Sequence, residues 1–444
     1  MKKIDRIVIV GFGSIAQALM PLLVARYDAE FVIFDKEVDV DRQLVADEYS
    51  ACLIRKMITP RNFKEVLGHY LSEHAFLLNL AVSVSSEALI ELAQSFQALY
   101  LDTCIEPWEY SAEQHSNLTS NFSLRESLKG FSASRPPESA TAIVAHGANP
   151  GFISVLLKKA LVQMAALNGI AFEGGNPQDW AMLSQQLGIR VIQVSERDTQ
   201  FANVERSSGH FMCTWSVDGL ITECLQPAEM GWGSHEAHVP EGATLNRYAL
   251  AMKEQGREIR VKSWSPNYLD FAGYLLTHNE SLSIAEYLTL GDAANPIYRP
   301  TVYYAYHPCD QAVESMALLA SGDEEHVLSK EVLKGNITSG IDELGVFLIS
   351  DRYQSLWMGS NLSIGKARKM ARHNSATSLQ VVSSIVAGMA WAQAHPKAGV
   401  LESERLDWEF VYDIVEQYWQ PIVFQQVDWR PVESGSLSFK GFMV

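Results

Sequence analysis

The chain has 444 residues, 47% of them hydrophobic and 20% charged, which is the composition of a folded globular protein long enough for two cores rather than one. With 35 Lys and Arg against 52 Asp and Glu, the formal charge of −17 argues against a nucleic-acid partner, because phosphate binding needs clustered cations. Five cysteines without any C-x-x-C imply neither a disulfide framework nor a zinc cage, so no metal is expected.

The chain opens with "MKKIDRIVIVGFG". Its apolar run is too short for a signal peptide and flows into a glycine turn, so it reads as a first strand. "SIAQALMPLLVARY" has helical spacing, "EFVIFD" reads as a second strand, and "AFLLNLAV" and "ALYLD" as two more, with helical patterns between them. Strands alternating with helices predict an α/β fold, a Rossmann-type parallel sheet wound on both sides. The Pro-, Ser- and Gly-rich "SASRPPESATAIVAHGANPG" marks a boundary.

From there to about Tyr306 the patterns are richer in β, as in "RVIQVSERD", "GHFMCTWSVDGLITECL" and "REIRVKSW", which predicts a second, α+β domain. One long helical pattern covers Ser375 to His395. Its apolar part, "LQVVSSIVAGMAWA", falls short of the ~20 residues that span a bilayer and reads as a buried helix, so no membrane is expected. The remaining stretch carries Trp408, Trp419 and Trp429. The class is a cytoplasmic enzyme or binding protein.

The first strand leads into Gly11-Phe12-Gly13-Ser14-Ile15-Ala16, which fits G-x-G-x-x-[GA] directly before a helix. The first glycine permits the tight turn, the second lets backbone approach a pyrophosphate, and Ala16 supplies the small third residue that helix–strand packing needs. Amides at the helix N-terminus, from Ser14 and Ile15 onward, would then receive the phosphates. Asp35 ends the next strand. An acid there bonds both ribose hydroxyls and repels a 2′-phosphate, so NAD is expected rather than NADP.

A chemical signal follows the nucleotide half. Glu106, Asn149 and Glu196 sit at predicted strand ends, and His278 lies in "LTHNES". Trp215 and Glu223 are read on one strand–turn–strand segment, within a stretch from Thr214 to Glu236 that holds Asp218, Glu223, Glu229 and Glu236 but no Lys or Arg. Taken singly, each acid is more readily a solvated surface group, Trp215 a core residue and His278 a structural histidine. Together they suit a protonated diamine: an indole face attracts an ammonium, and carboxylates hold the ends and take a proton from the reacting nitrogen. An amino-acid substrate would need a guanidinium for its carboxylate, and Arg197 and Arg206 are near enough in sequence to keep that alternative open.

"GFGSIAQALMPLL", "YLDTCIEPW", "HGANPGFIS", "QVSERDTQ", "TWSVDG", "AEMGWGSHE" and "YAYHPCDQAV" together resemble the bacterial homospermidine synthase family, in order and as far as about Val313. The resemblance implies NAD held as a prosthetic hydride carrier, with two putrescine molecules converted to homospermidine and ammonia through imines. It implies a cation–π role for Trp215, Glu196 and Glu223 as acids around the amines, Glu106 and Asn149 beside the nicotinamide, and His278 in the pocket. Asn79, Ala81, Asp102, Thr103 and Gly147 would line the cofactor. It also implies a homodimer, and a saccharopine-reductase-like architecture in which the later chain returns to the nucleotide domain. The domains are therefore expected at 1–147 plus about 364–396 for the cofactor, 148–363 for the substrate and dimerisation, and 397–444 as a C-terminal extension. Two other readings remain. One is a net oxidoreductase on an amino-acid or polyamine substrate, which would show an Arg pair in the pocket. The other is a nucleotide-sensing binding protein.

Overall fold

The computed structural model describes residues 1–109, 119–205, 207–432 and 437–444. Arg206 lies outside them. The chain divides into two compact units, one of Met1–Thr119, Ser123–Phe152 and Ala367–Tyr418, the other of Ser120–Phe122, Ile153–Lys366 and Trp419–Val444.

In the first unit, β1 (Arg6–Val10), β2 (Glu30–Asp35), β3 (Cys52–Arg55), β4 (Ala75–Asn79), β5 (Leu99–Asp102) and β6 (Ala142–Val144) join Val400–Glu402 in a seven-stranded sheet. Its order is β3-β2-β1-β4-β5-β6 and then Val400–Glu402, with every pairing parallel. The order reverses between β1 and β4, and open α/β sheets bind ligands beyond the carboxyl ends of their strands at such a switch. Ile7, Val8 and Ile9 are fully buried, as expected for a strand covered on both faces. The strands at Cys52, Ala142 and Val400 escape a sequence reading because each is only three or four residues long.

The helix α1 (Ser14–Arg26) follows β1, and Ala16 is 1% exposed, so the small third residue does pack tightly. The late helix, Ala376–Ala394, belongs to this same unit and is buried along nearly its whole length. Ser375 caps it by accepting the Ser378 N–H, and Asn374 donates to the Ala18 carbonyl of α1 at 2.9 Å. No helix among the described residues is long and apolar enough to cross a membrane.

The second unit is built on a ten-stranded mixed sheet. At its centre β7 (Ile189–Asp198) runs parallel to Thr301–His307 and antiparallel to Ile341–Ser350. One face carries a largely aromatic core that includes Trp264, Tyr303, Phe347, Trp357, Trp429, Phe439 and Phe442.

The stretch expected as a C-terminal extension, 397–444, is divided between the two units. Val400–Glu402 completes the first sheet, and Ile422–Val427 adds an edge strand to the second, antiparallel to Ser355–Ser363. The cause is apolar content. Trp419 and Phe439 are fully buried, and Trp429 packs on Phe347 with ring centroids 5.4 Å apart, surface that a free tail would leave in water.

Candidate active site

The residues singled out from sequence fall in both units. In the first, the chain leaves β1 through Gly11, whose φ is +92°. A Cβ there would lie 2.7 Å from the Leu80 carbonyl oxygen, so only glycine lets β1 turn so close to the end of β4. Gly13 is the N-cap of α1 and makes no side-chain cap, and a Cβ on it would meet nothing within 4 Å. That open space lies at the N-terminus of a helix opened by Ser14 and Ile15, where backbone amides and dipole favour an anion.

Asp35 closes β2 and accepts the backbone N–H groups of Phe12 and of Glu37, so it is tied to the glycine loop itself. Asn79 ends β4. Its amide donates to Val84 O at 2.8 Å and its oxygen faces the Ala81 N–H at 3.4 Å, shaping the turn between them. Gly147 lies beside Thr103: a Cβ on Gly147 would be 3.7 Å from Thr103 Cγ2. Asn149 is at the apex of a compact turn closed by Gly147 N–H to Pro150 O (2.7 Å) and Phe152 N–H to Gly147 O (2.9 Å). Glu106 accepts the Ser83 N–H through Oε2 at 2.9 Å, and its backbone is held by Ser86.

Asp102 ends β5, at the strand end where it was expected. It is fully buried, accepts the Tyr100 hydroxyl and the Ala145 N–H at 2.7 Å each, and its carbonyl accepts the His146 N–H. It therefore supports the Gly147–Asn149 turn from beneath. Burial pushes its carboxyl up to about 7 against the pull of those two donors. An unfolded Asp titrates near 4, so between these values the folded chain holds a proton that the unfolded chain releases. Stability from this site is greatest on the acid side and falls as pH rises through about 7. Asp102→Asn removes the titration, so its melting temperature relative to wild type should climb between about pH 4 and pH 7 and level off above that. Melting scans across that range test it, and a pH-independent difference would contradict it.

The second unit gathers three of the singled-out residues, Glu196, Glu223 and His278, around an aromatic stack. Glu196, near the end of β7, is 3% exposed and accepts the Tyr304 hydroxyl through Oε2 at 2.6 Å. Tyr304 stacks on Tyr306 with centroids 5.2 Å apart, and the His278 ring lies tilted against it with centroids 4.2 Å apart. His278 lies between two carboxylates: Nε2 is 3.1 Å from Glu223 Oε1, and Nδ1 is bonded to Glu280 Oε1 at 3.0 Å. Burial raises Glu223, against the pull of His278. For His278 burial alone would expel the proton, but Glu280 and Glu223 outweigh it and hold the ring well above its ordinary value. His278 Nε2, close to Glu223 but not hydrogen-bonded to it, the second oxygens of Glu223 and Glu280 and the Tyr306 hydroxyl are buried without a hydrogen-bond partner among the described residues.

Trp215 and Glu223 are not on a strand–turn–strand segment. The strand ends at Cys213, and Val217–Leu225 is a helix capped by the Ser216 side chain, which accepts the Gly219 N–H. Val217, Leu220, Ile221 and Cys224 are its buried face, a 3.6-residue period that the neighbouring β patterns hide. The indole of half-buried Trp215 lies against Gly219, where a Cβ would come within 2.7 Å of ring atom Cζ3. Glu223 follows one turn further along the same side.

The acids around this helix go to separate destinations. Exposed Asp218 pairs with Lys330 at 2.7 Å. Glu229 accepts the Asn121 and Phe122 N–H groups at a helix start, and burial lifts it to about 7. Glu236 accepts the Thr301 hydroxyl and the Phe439 N–H. Only Glu223 joins the aromatic cluster. Arg197 is occupied: its guanidinium donates to the carbonyls of Asp198 and Pro308 and lies 3.4 Å from Asp310. No group of three His, Cys, Asp or Glu side chains among the described residues is arranged to hold a metal ion.

Sequence reasoning missed Glu280, Tyr304 and Tyr306. The two tyrosines had a usable signal, since positions two apart on a strand share a face. Glu280 had none, because its meaning depends on the His278 ring turning back over the helix start.

Family models for the saccharopine dehydrogenase NADP binding domain and the saccharopine dehydrogenase C-terminal domain match residues 7–143 and 147–422. Homospermidine synthase of Blastochloris viridis is 37% identical, covering 96% of this chain and 92% of the relative. That of Mesorhizobium japonicum is 35% identical over 96% of this chain and 91% of its own. Among solved structures, homospermidine synthase from Legionella pneumophila in complex with NAD is similar with a TM-score of 0.92 at 38% identity, covering 100% of this chain and 99% of that one. Apo saccharopine dehydrogenase (L-Glu forming) from Saccharomyces cerevisiae shares the fold at a TM-score of 0.51 and 10% identity, over 95% and 100% of the two chains.

Proposed function

The chain belongs to the homospermidine synthase family, and from that premise we propose that it joins two putrescine molecules into sym-homospermidine with release of one ammonia. Two diamines enter and one triamine and one ammonia leave, so atoms balance with no external oxidant, and the enzyme is a transferase of an aminobutyl group. When bound, NAD would supply the redox chemistry, reversible hydride transfer at the carbon beside the reacting nitrogen. Gly11, Gly13, Ser14, Ile15, Asp35, Asn79, Ala81, Thr103 and Gly147 fit as its cradle, because the space beside Gly13 is open and the helix there carries no side-chain cap. Asp102 would serve that cradle by holding the turn behind it. Glu106 and Asn149 would face the nicotinamide.

One observation carries the substrate reading: the buried second carboxylate oxygen of Glu223 meets no donor among the described residues, beside His278 and a tyrosine stack. A buried acceptor left unpaired costs about 1–3 kcal/mol, and a protonated amine removes that cost. Glu196 and Glu223 would hold the amines and take the proton that must leave nitrogen before hydride can. The imine carbon accepts the second amine, one proton moves from the attacking to the leaving nitrogen, and ammonia departs. Trp215 would stabilise the cationic species against its ring face. An amino-acid substrate is disfavoured by the engagement of Arg197 with main-chain carbonyls and Asp310. The enzyme would act as a homodimer in the cytoplasm.

The test is incubation of putrescine with a catalytic trace of NAD, following products by mass spectrometry and NADH by absorbance. Homospermidine and ammonia should form in large molar excess over NAD without accumulation of NADH. NADH rising one for one with substrate would make the protein a net dehydrogenase. Absence of turnover would remove putrescine as the substrate.

A further inference from the structure

His278 is the N-cap residue of the helix Asn279–Tyr287, yet its side chain caps nothing. The ring is turned instead onto Glu280, two residues on, with Nδ1 at 3.0 Å from Oε1. Glu280 is 1% exposed, and its other oxygen meets no donor among the described residues. A purely structural acid at a helix start accepts backbone N–H groups, as Glu229 does from a neighbouring strand for Asn121 and Phe122. Among the described residues, the Glu280 carboxylate bonds to His278 alone.

Each element packed on the ring presents a defined group. The helix Val217–Leu225 presents Glu223 to Nε2 at 3.1 Å. The strand Thr301–His307 presents Tyr304, ring to ring, and the Tyr304 hydroxyl is bonded to Glu196, so a third carboxylate stands behind that face. Tyr304 is neutral, because burial and its acidic neighbours raise its hydroxyl well above the ordinary range. His278 thus has a carboxylate at each ring nitrogen, and the one on Nδ1 decides which way Nε2 points.

We propose that Glu280 is a positioning residue for the reaction: by holding Nδ1–H it keeps His278 a double donor with Nε2 directed at Glu223 and the reacting amines. This rests on the proposed function. His278 then orients the carboxylate that holds substrate and has a proton to give to the departing nitrogen. Glu280 itself touches His278 and acts through it.

Glu280→Gln separates charge from shape, since the amide oxygen still accepts Nδ1–H while the negative charge is gone. Two readouts are needed. In the resting enzyme, histidine carbon NMR with the His278 signal assigned by its loss in His278→Gln should show the titration midpoint falling by roughly one pH unit or more. In homospermidine formation, the alkaline limb of the kcat profile should move down with it, giving about a tenfold loss at high pH and little at low pH. Glu280→Asp keeps the charge and should retain the wild-type limb. An unchanged midpoint in Glu280→Gln overturns the proposal. So does a uniform loss of kcat at every pH, which is what a merely structural residue would give. If the wild type makes no homospermidine, the proposed function fails, while the NMR midpoint still decides whether Glu280 governs His278.

Discussion

Glu223→Gln is expected to lower kcat/KM for putrescine about a hundredfold, with the fold and NAD affinity retained. Glu223 is the single acid of the Thr214–Glu236 stretch that reaches the His278–Tyr304 cluster, and its Oε2 stands ready for a donor. A hydrogen bond to a charged group in a buried site is worth about 1.5–3 kcal/mol, and each 1.4 kcal/mol is about tenfold in rate. Gln has the same volume, so no cavity opens, but it is a poorer acceptor and cannot take a proton from the amine. The change also leaves His278 with one carboxylate instead of two, so substrate holding and proton transfer suffer together. Steady-state kinetics on putrescine, with a melting curve and an NAD titration as controls, measure the effect. Unchanged kinetics would remove Glu223 from the site.

Trp215→Ala should cut kcat about thirtyfold and leave NAD affinity unaltered. A desolvated cation over an indole face is stabilised by about 2 kcal/mol, which is about thirtyfold if expressed in the transition state. The loss belongs in kcat because charge on the substrate is greatest in the imine species; a raised KM with normal kcat would mean uniform substrate binding instead. Trp215→Phe should recover part of the rate. Gly219→Ala tests the same ring by another route. Its Cβ would come within 2.7 Å of the indole, so the ring must shift, although alanine otherwise favours a helix by about 1 kcal/mol. A slower enzyme with a more stable helix is the expected signature. Full activity in Trp215→Ala would end the cation–π account.

The nucleotide half was readable because its signals are local. A buried β run, a glycine turn and a following helix lie within some twenty consecutive residues, and the periods of strand and helix are visible without knowing any partner. Asp35 is found by counting along the chain. Short strands such as Cys52–Arg55 and Ala142–Val144 carry too few residues to show a period, and they exist because the sheet offers them a ladder. The substrate half misled at Val217–Leu225, where β-rich neighbours and β-branched residues masked a helical face that its Ser216 cap could have revealed.

The sequence by itself determined the Rossmann core, the glycine turn at Gly11 and Gly13, and an acid-rich stretch around Trp215 that lacks its own cation. Each depends on residues close together in the chain, where spacing carries geometry. Tertiary structure alone decided which of those acids matter. Asp218, Glu229 and Glu236 are drawn off to Lys330, a helix start and the Thr301 hydroxyl, while Glu223 is brought to His278, Glu280 and Tyr304 from three separate elements. It also made Asp102 a buried support and shared the C-terminal chain between two sheets. The reason is common to all of these. The environment of a carboxylate is set by burial and by donors arriving from distant segments, and neither quantity is written in its immediate neighbours.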